Sequence, residues 1–142
     1  MTIRTVVKEH GDEIYSCNAD YNVAEAVALL AEKRIGALPV LEGDGVIGIF
    51  SERDVLYCLK QHGAAALDMK VRDVMTSDVI SIDLDKSAIG ALSLMTKRRI
   101  RHLPVVENGH LVGFVSIGDL VKYRIDKIET EAAAMRSYIQ TA

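Results

Sequence analysis

The hydrophobic positions of the chain follow the same order of elements twice, at a fixed separation along the sequence. Residues 34–40 (RIGALPV) recur as residues 99–105 (RIRHLPV), and the two prolines, Pro39 and Pro104, lie 65 residues apart (104 − 39). The same separation, without a gap, joins Ser16 to Ser81, Asp20 to Asp85, Gly48 to Gly113, Ser51 to Ser116 and Asp54 to Asp119. Such a repeat predicts two structural units of one kind.

Each unit is predicted to start with a short strand and a helix. Runs of β-forming residues occupy 14–17 and 79–82, and apolar residues at helical spacing follow both of them. The helical positions are Val23, Ala26, Val27 and Leu30 in the first unit and Ala88, Ala91, Leu92 and Met95 in the second. Asn22, paired with Glu25, and Ser87 are the expected N-caps.

A hairpin and a second helix are predicted to complete each unit. Pairs of apolar runs flank a short turn in both copies, and the first turn contains Asp-Gly, which is typical of hairpins. The predicted strands are residues 38–41 and 46–50, then 103–106 and 111–115, with turns at 42–45 and 107–110. Helices should then begin near Ser51 and near Ser116.

The order β-α-β-β-α in each unit predicts an α/β (α+β) fold in which two repeats pack face to face with pseudo-two-fold symmetry. A unit of about 60 residues buries little core by itself, so each should need the other. We expect the first repeat at residues 5–61, the second at 70–126 and a C-terminal helix extension at 127–142. Residues 62–68, with Gly63 and three alanines, are the expected joint.

The last helix is predicted to extend beyond the second repeat. No Gly or Pro interrupts the chain from Asp119 to about residue 139. An apolar stripe with alternating spacings of 3 and 4 residues follows this segment: Ile125, Ile128, Ala132, Met135 and Ile139. The stripe either packs on its own domain or contacts a second copy, because this spacing is the seam of paired helices.

Composition narrows the class of protein. Of 142 residues, 49% are hydrophobic and 5% aromatic, and the net charge is −3. This balance disfavours nucleic-acid binding, although a basic segment at 97–101 keeps it as a weaker alternative. Cys17 and Cys58 belong to no metal or redox motif. No apolar run reaches membrane-spanning length, and residues 1–12 do not resemble a signal peptide. We expect a cytoplasmic protein without a metal or a membrane contact.

Two seven-residue segments carry a resemblance to a known family. Residues 48–54 (GIFSERD) and 113–119 (GFVSIGD) both follow the pattern G-h-h-S-x-x-D, where h is hydrophobic. Within β-α-β-β-α repeats, this pattern resembles the cystathionine β-synthase (CBS) domain, whose members occur as tandem pairs. Residues 71–75 (VRDVM) keep the h-x-D-h-M pattern that precedes a CBS repeat, whereas residues 7–12 lack it.

The resemblance implies a cleft between the repeats that binds an adenosyl ligand such as AMP, ATP, NAD(H) or S-adenosylmethionine. Asp54 and Asp119 would accept hydrogen bonds from the ribose hydroxyls, and Ser51 and Ser116 would bond ribose or phosphate. The adenine would lie beside the first strands, at Ile14, Tyr15, Ser16, Val79, Ile80 and Ser81. The remaining expected contacts are Ala37, Leu38, Pro39, Arg53, Arg101, His102, Leu103 and Pro104.

The residue chemistry supports this expectation independently. A carboxylate can accept both hydroxyls of a ribose diol, and a phosphate favours a helix N-terminus. Ser-x-x-Asp is also a capping box, a role compatible with ligand binding. Arg101 and His102 are expected to form a basic phosphate contact. The first repeat has Gly36 and Ala37 there, with Arg53 as a compensating charge, so the two sites should differ.

The sequence favours a regulatory module that senses energy or redox state and catalyses nothing. The four histidines are scattered, and no P-loop, GxSxG or HExxH motif is present. Residues 43–48 match G-x-G-x-x-G but span a hairpin turn, unlike a dinucleotide site. The expected partners are an adenosyl nucleotide, a second copy in a homodimer and a separate effector protein. The alternative is a structural or protein-interaction module that binds no ligand.

Overall fold

The structure, a computed structural model, describes residues 2–11 and 13–141 and confirms the mixed α/β fold with two β-hairpin units. The first half contains α1 (Ile3–His10), β1 (Cys17–Asn18), α2 (Val23–Lys33), β2 (Ala37–Glu42), β3 (Gly45–Ser51) and α3 (Glu52–His62). A 3₁₀ helix (Gly63–Asp68) occupies the expected joint. The second half contains α4 (Val71–Val74), α5 (Ala88–Arg98), β4 (His102–Glu107), β5 (His110–Ser116) and α6 (Ile117–Thr141).

The predicted caps of α2 and α5 are confirmed. Asn22 Oδ1 accepts a hydrogen bond from Glu25 N at 2.8 Å, and Ser87 Oγ accepts one from Gly90 N at 2.9 Å. Each bond satisfies one of the free N–H groups at a helix start. These caps fix where each helix leaves the preceding segment, and so fix the position of the hairpin that follows.

The two hairpins have the same antiparallel register. Pro39 faces Ile49 in the first hairpin, and Pro104 faces Phe114 in the second. The first turn uses Gly43 at φ 61°, in the left-handed region that favours glycine. The G-x-G-x-x-G match at 43–48 therefore lies in a hairpin, as predicted. Strands β3 and β5 lie beside each other where the two repeats meet.

The first strand of each repeat is shorter than predicted. In place of 14–17, only Cys17–Asn18 pairs with β2, in parallel, and in place of 79–82 only Ile82 forms a bridge, to Val105. The next bonds of these parallel ladders would be donated by the backbone nitrogens of Pro39 and Pro104. Proline has no N–H, so the ladders stop there.

Helix α1 was not predicted, and it packs on the repeat that lies farther along the chain. Ile3 N donates to Lys86 O at 2.8 Å, and Val71 N, at the start of α4, donates to Tyr21 O at 2.9 Å. The leading segment of each repeat thus packs on the other repeat. Residues 3–7 are the counterparts of residues 71–75, and the expectation that the counterpart begins at residue 7 is wrong.

Ion pairs follow the same exchange. Arg4 bonds Asp85 at 3.2 Å, while Arg72 bonds Asp20 at 3.0 Å and Glu42 at 3.0 Å. The pKa of Asp20 is lowered, first by the hydrogen bond from Arg72 and then by its charge. Because all these groups are exposed, we assign the pairs to orientation of the leading segments rather than to stability.

The separation explains why α1 escaped the sequence pattern. The leading segments lie 68 residues apart (71 − 3), whereas all later elements lie 65 apart. The three additional residues follow position 7. There α1 continues to His10, whereas α4 ends at Val74.

The core is divided into two clusters, one for each repeat. The cluster of the second repeat is completed by Ile3 and Val6 from α1. The cluster of the first repeat is completed by Val71 from α4 and by Ala66 from the 3₁₀ helix. Neither repeat therefore has a complete core without the leading segment of the other.

The apolar stripe of α6 does not pack on its own domain. Its four large members, Ile125, Ile128, Met135 and Ile139, are between 49% and 66% exposed. Leu120 is the buried residue by which α6 joins the core. The alternative of packing within the domain is wrong, and contact with a second copy stays a prediction.

Candidate functional site

The first predicted carboxylate, Asp54, is held on both of its oxygens. Oδ2 accepts hydrogen bonds from Ser51 N at 2.9 Å and from Ser51 Oγ at 3.1 Å. Oδ1 accepts one from Thr76 Oγ1 at 3.1 Å. Asp54 is only 8% exposed, the one buried charged residue in the part of the chain that is described.

The second predicted carboxylate, Asp119, has the same cap and a different neighbour. Oδ2 accepts from Ser116 N at 2.9 Å, and Asp119 N donates to Ser116 Oγ at 3.0 Å. Oδ1 lies 3.6 Å from Nδ1 of His10. The Asp119 side chain is 26% exposed and that of His10 is 50% exposed. The second carboxylate is therefore more open to a ligand than the first.

Each carboxylate is thus closed by a residue from the other repeat. Thr76 follows α4 and exchanges backbone hydrogen bonds of 2.9 Å in both directions with Ile49 on β3. His10 is the last residue of α1. The sequence interpretation missed both. Thr76 had a signal, since it directly follows the h-x-D-h-M pattern, whereas no motif marks His10.

A small groove beside the second carboxylate contains one predicted adenine contact. Its lining comes from the end of α1, the following segment and β5: Val7, His10, Gly11, Glu13, Ile14, Gly113, Phe114 and Val115. Ile14 and Asp119 thereby share His10 as a neighbour. A wider, more open groove between the two hairpin turns is bordered by Ile14 and Ser16.

His102 lies where the two repeats meet and does not supply the charge expected of it. Its ring stacks on Phe114 at 5.4 Å, and a Cβ at Gly36 would lie 3.9 Å from its Cε1. Burial lowers the pKa of His102, and Arg101 lowers it further, while Asp119 and Glu52 act in the opposite direction. The imidazole is therefore neutral at pH 7, and Arg101 alone remains of the predicted basic pair.

Several other predicted contacts lie in the cores or point elsewhere. The buried members are Ala37, Leu38, Pro39, Leu103 and Pro104. Leu38 and Leu103 belong to the core clusters of their own repeats, so their side chains are used for packing. Tyr15 donates a hydrogen bond to Glu13 at 2.7 Å, and Val79 and Ile80 are half-buried. Ser81, Arg53 and Arg101 are exposed.

Other chemistry finds little support in the described residues. Burial raises the pKa of the Cys17 thiol to about 11, which suppresses the reactive thiolate. Within residues 2–11 and 13–141, no three His, Cys, Asp or Glu side chains form a group that could hold a metal ion. In the same residues, no helix has both the length and the apolar character needed to cross a bilayer.

The family assignment follows from the repeat. The model of the family described as CBS domain matches residues 6–61 and again residues 71–126. The chain belongs to the CBS-domain family. The CBS domain-containing protein CBSX3, mitochondrial, of Arabidopsis thaliana is 33% identical over 148 residues, covering 98% of this chain and 72% of that protein. An inosine-5′-monophosphate dehydrogenase of Thermoplasma acidophilum is 33% identical, but the match spans 21% of its length.

Solved CBS structures share the fold over most of the chain. A CBS-domain containing protein from Agrobacterium tumefaciens superimposes with a TM-score of 0.81 at 36% identity, covering 87% of this chain and 92% of that chain. The CBS domain pair of protein MJ0100 superimposes with a TM-score of 0.79 at 21% identity, covering 89% and 98%. The face-to-face pair of repeats is therefore the CBS-pair fold.

Proposed function

We propose that the chain is a regulatory module that binds an adenosyl ligand between its two repeats and catalyses no reaction. The observation that carries this proposal is the doubled carboxylate. Asp54 and Asp119 stand at the first turns of α3 and α6, and each meets a residue from the other repeat. A ligand at either carboxylate would therefore touch both repeats, and its binding would report on how they are packed.

The chemistry of the two positions fits a nucleoside. The hydroxyls of a ribose can replace Thr76 or His10 as partners of the free carboxylate oxygen. The first turns of α3 and α6 offer N–H groups and a favourable dipole to a phosphate. Protein MJ0100, which shares the fold, is described in complex with 5′-methylthioadenosine and S-adenosyl-L-methionine. For the present chain we propose AMP, ATP or NAD(H).

The contacts of the ligand follow from the composite sites. We propose that Asp54, Ser51 and Thr76 form the first site, with Arg53 near the phosphate and Val79 on the adenine side. Asp119, Ser116 and Arg101 form the second, with Ile14 on the adenine side. Backbone atoms of the buried strand residues, rather than their side chains, would provide the remaining contacts.

The output of the module would pass to another chain. We propose a homodimer through the exposed stripe of α6, with a separate effector protein that recognises the ligand-bound arrangement. Because the two sites have different neighbours, they should differ in affinity. The cytoplasm is the compartment that we propose for this activity.

A second candidate is a CBS pair that binds no ligand. The observation that favours it is the state of Asp54, whose oxygens are both bonded and which is almost fully buried. In that case the two Ser-x-x-Asp segments would only cap helices, and the module would act as an interaction surface.

A thermal-shift titration separates the two candidates. Purified protein, shown to be free of bound nucleotide, is heated with AMP, ADP, ATP, NAD⁺, NADH or S-adenosylmethionine, and with GTP as the control. A ligand present at 100 times its dissociation constant stabilises the native state by about 2.7 kcal/mol, which raises the melting temperature by several degrees. A rise with adenine ligands alone supports the sensor, and no rise with any of them supports the ligand-free module.

A further inference from the structure

The two carboxylates differ in the residue that closes them. Oδ1 of Asp54 accepts a hydrogen bond from a neutral hydroxyl, Thr76 Oγ1, at 3.1 Å. Oδ1 of Asp119 instead lies 3.6 Å from the Nδ1 atom of His10. An imidazole carries a positive charge when protonated, so the second pair is an ion pair whenever His10 holds its second proton.

The longer leading segment of the first repeat puts His10 in this position. Three more residues separate position 7 from Ser16 than separate Met75 from Ser81, and α1 uses its share of them to reach His10. Val7 packs against Gly113, as Met75 packs against Gly48, so both leading segments are fixed at equivalent points. The difference beyond these points is confined to what reaches the carboxylate.

We propose that His10 is a specificity-determining residue of the second site and makes that site select 5′-phosphorylated adenosine over adenosine. The inference rests on the proposed function, since it assumes that a ribose takes Oδ1 of Asp119. Once the ribose occupies that oxygen, His10 loses its partner. A phosphate on the ligand supplies a new one, whereas adenosine leaves the imidazolium without one.

The first site lacks this selection. Displacing Thr76 from Asp54 frees a neutral hydroxyl, and the cost is the same whether or not the ligand carries a phosphate. The other charged groups near His10 are Glu13, on the same groove, and Arg101, which with Asp119 is close enough to His102 to shift its pKa. These two groups carry opposite charges, and both remain in place when His10 is replaced.

The experiment compares AMP with adenosine at one site at a time. Asp54→Ala leaves the second site as the functional one, and calorimetric titrations at pH 6.0 fall below the ordinary histidine pKa of about 6.5. We expect His10→Thr in this background to lower the ratio of AMP to adenosine affinity about tenfold, in the range of one hydrogen bond to a charged group. His62→Thr, at the exposed far end of α3, is the matched control and should keep the ratio.

A reciprocal variant makes the test independent of losses. Thr76→His in an Asp119→Ala background should raise the AMP-to-adenosine ratio of the first site. An unchanged ratio in His10→Thr, or an equal loss of both ligands, overturns the role of His10 while binding by the parent protein leaves the proposed function standing. Failure of the wild-type chain to bind either ligand would overturn the proposed function and this inference together.

Discussion

Two glycines fix the leading segments against the hairpins. A Cβ at Gly48 would collide with the Sδ atom of Met75 and would lie 3.0 Å from the backbone oxygen of Thr76. Thr76 is also the residue that closes Asp54. The glycine of the G-h-h-S-x-x-D pattern is therefore needed for close packing, and it acts on the site through the neighbouring strand.

Replacing this glycine tests that contact. Gly48→Ala should lower the free energy of unfolding by about 1–3 kcal/mol, because a backbone atom must move to make room. Gly45→Ala is the matched control, since its nearest contact would be 3.8 Å away. Chemical denaturation measures both variants, and equal stabilities for the two would contradict the packing described here.

His102 shows why a residue's role was not readable from its neighbours in sequence. The run at 97–102 is basic, and a positive charge was the natural expectation. The fold stacks the ring on Phe114 at the meeting point of the repeats, and burial then favours the neutral form. Burial depends on the packing of distant elements, which no local pattern contains.

The lowered pKa of His102 predicts an acid-sensitive stability. Because the unfolded chain binds this proton more readily than the folded chain, the free energy of unfolding falls as pH drops through the ordinary histidine pKa near 6.5. His102→Phe keeps the stacked ring and removes the proton. The melting temperature of the variant should fall less than that of the wild type between pH 7.5 and pH 5.5, and an equal fall would argue against a buried, neutral His102.

At the scale of elements, most of the fold could be predicted from local signals. Periodicity and capping residues located α2, α3, α5, α6 and both hairpins. The exchange of α1 and α4 could not be found in this way, because residues 3–7 lack the Asp and Met of the second copy and break the 65-residue separation. The same exchange delivers Thr76 and His10, so both were missed for the same physical reason.

The exchange predicts that a residue near the N-terminus stabilises the second repeat. Ile3 is fully buried in the second core cluster, so Ile3→Ala should lower the free energy of unfolding by about 2–5 kcal/mol. Ile89→Ala, on the exposed face of α5, is the matched control and should stay within about 0.5 kcal/mol of the wild type. Hydrogen exchange should show faster exchange in β4 and β5 of the Ile3 variant. Protection confined to the first repeat would contradict the exchange.

At the scale of the whole molecule, α6 is an element that the chain does not finish covering. Its stripe continues for 15 residues past the second matched repeat (141 − 126), and its large apolar members stay exposed. Lys127 and Glu131 form an ion pair beside it at 4.0 Å, an arrangement common along paired helices. The spacing was visible in the sequence, but only the structure excluded packing within the domain.

This surface predicts the oligomeric state. The wild-type chain should sediment as a dimer, and Ile128→Lys should shift it to the monomer, because a charge in the seam is costly to bury. Thr130→Lys, two residues away on the same helix and off the stripe, is the control and should remain dimeric. A wild-type monomer at high concentration would contradict the homodimer.

The account depends most on the two carboxylates as ligand-binding groups. Titration calorimetry with the adenine ligand that gives the largest thermal shift should show binding weakened about 10- to 100-fold at one site by Asp54→Ala and at the other by Asp119→Ala, and abolished by the double variant. Asp126→Ala, an exposed residue of α6, should bind as the wild type does. Full binding by a folded double variant would contradict the central claim.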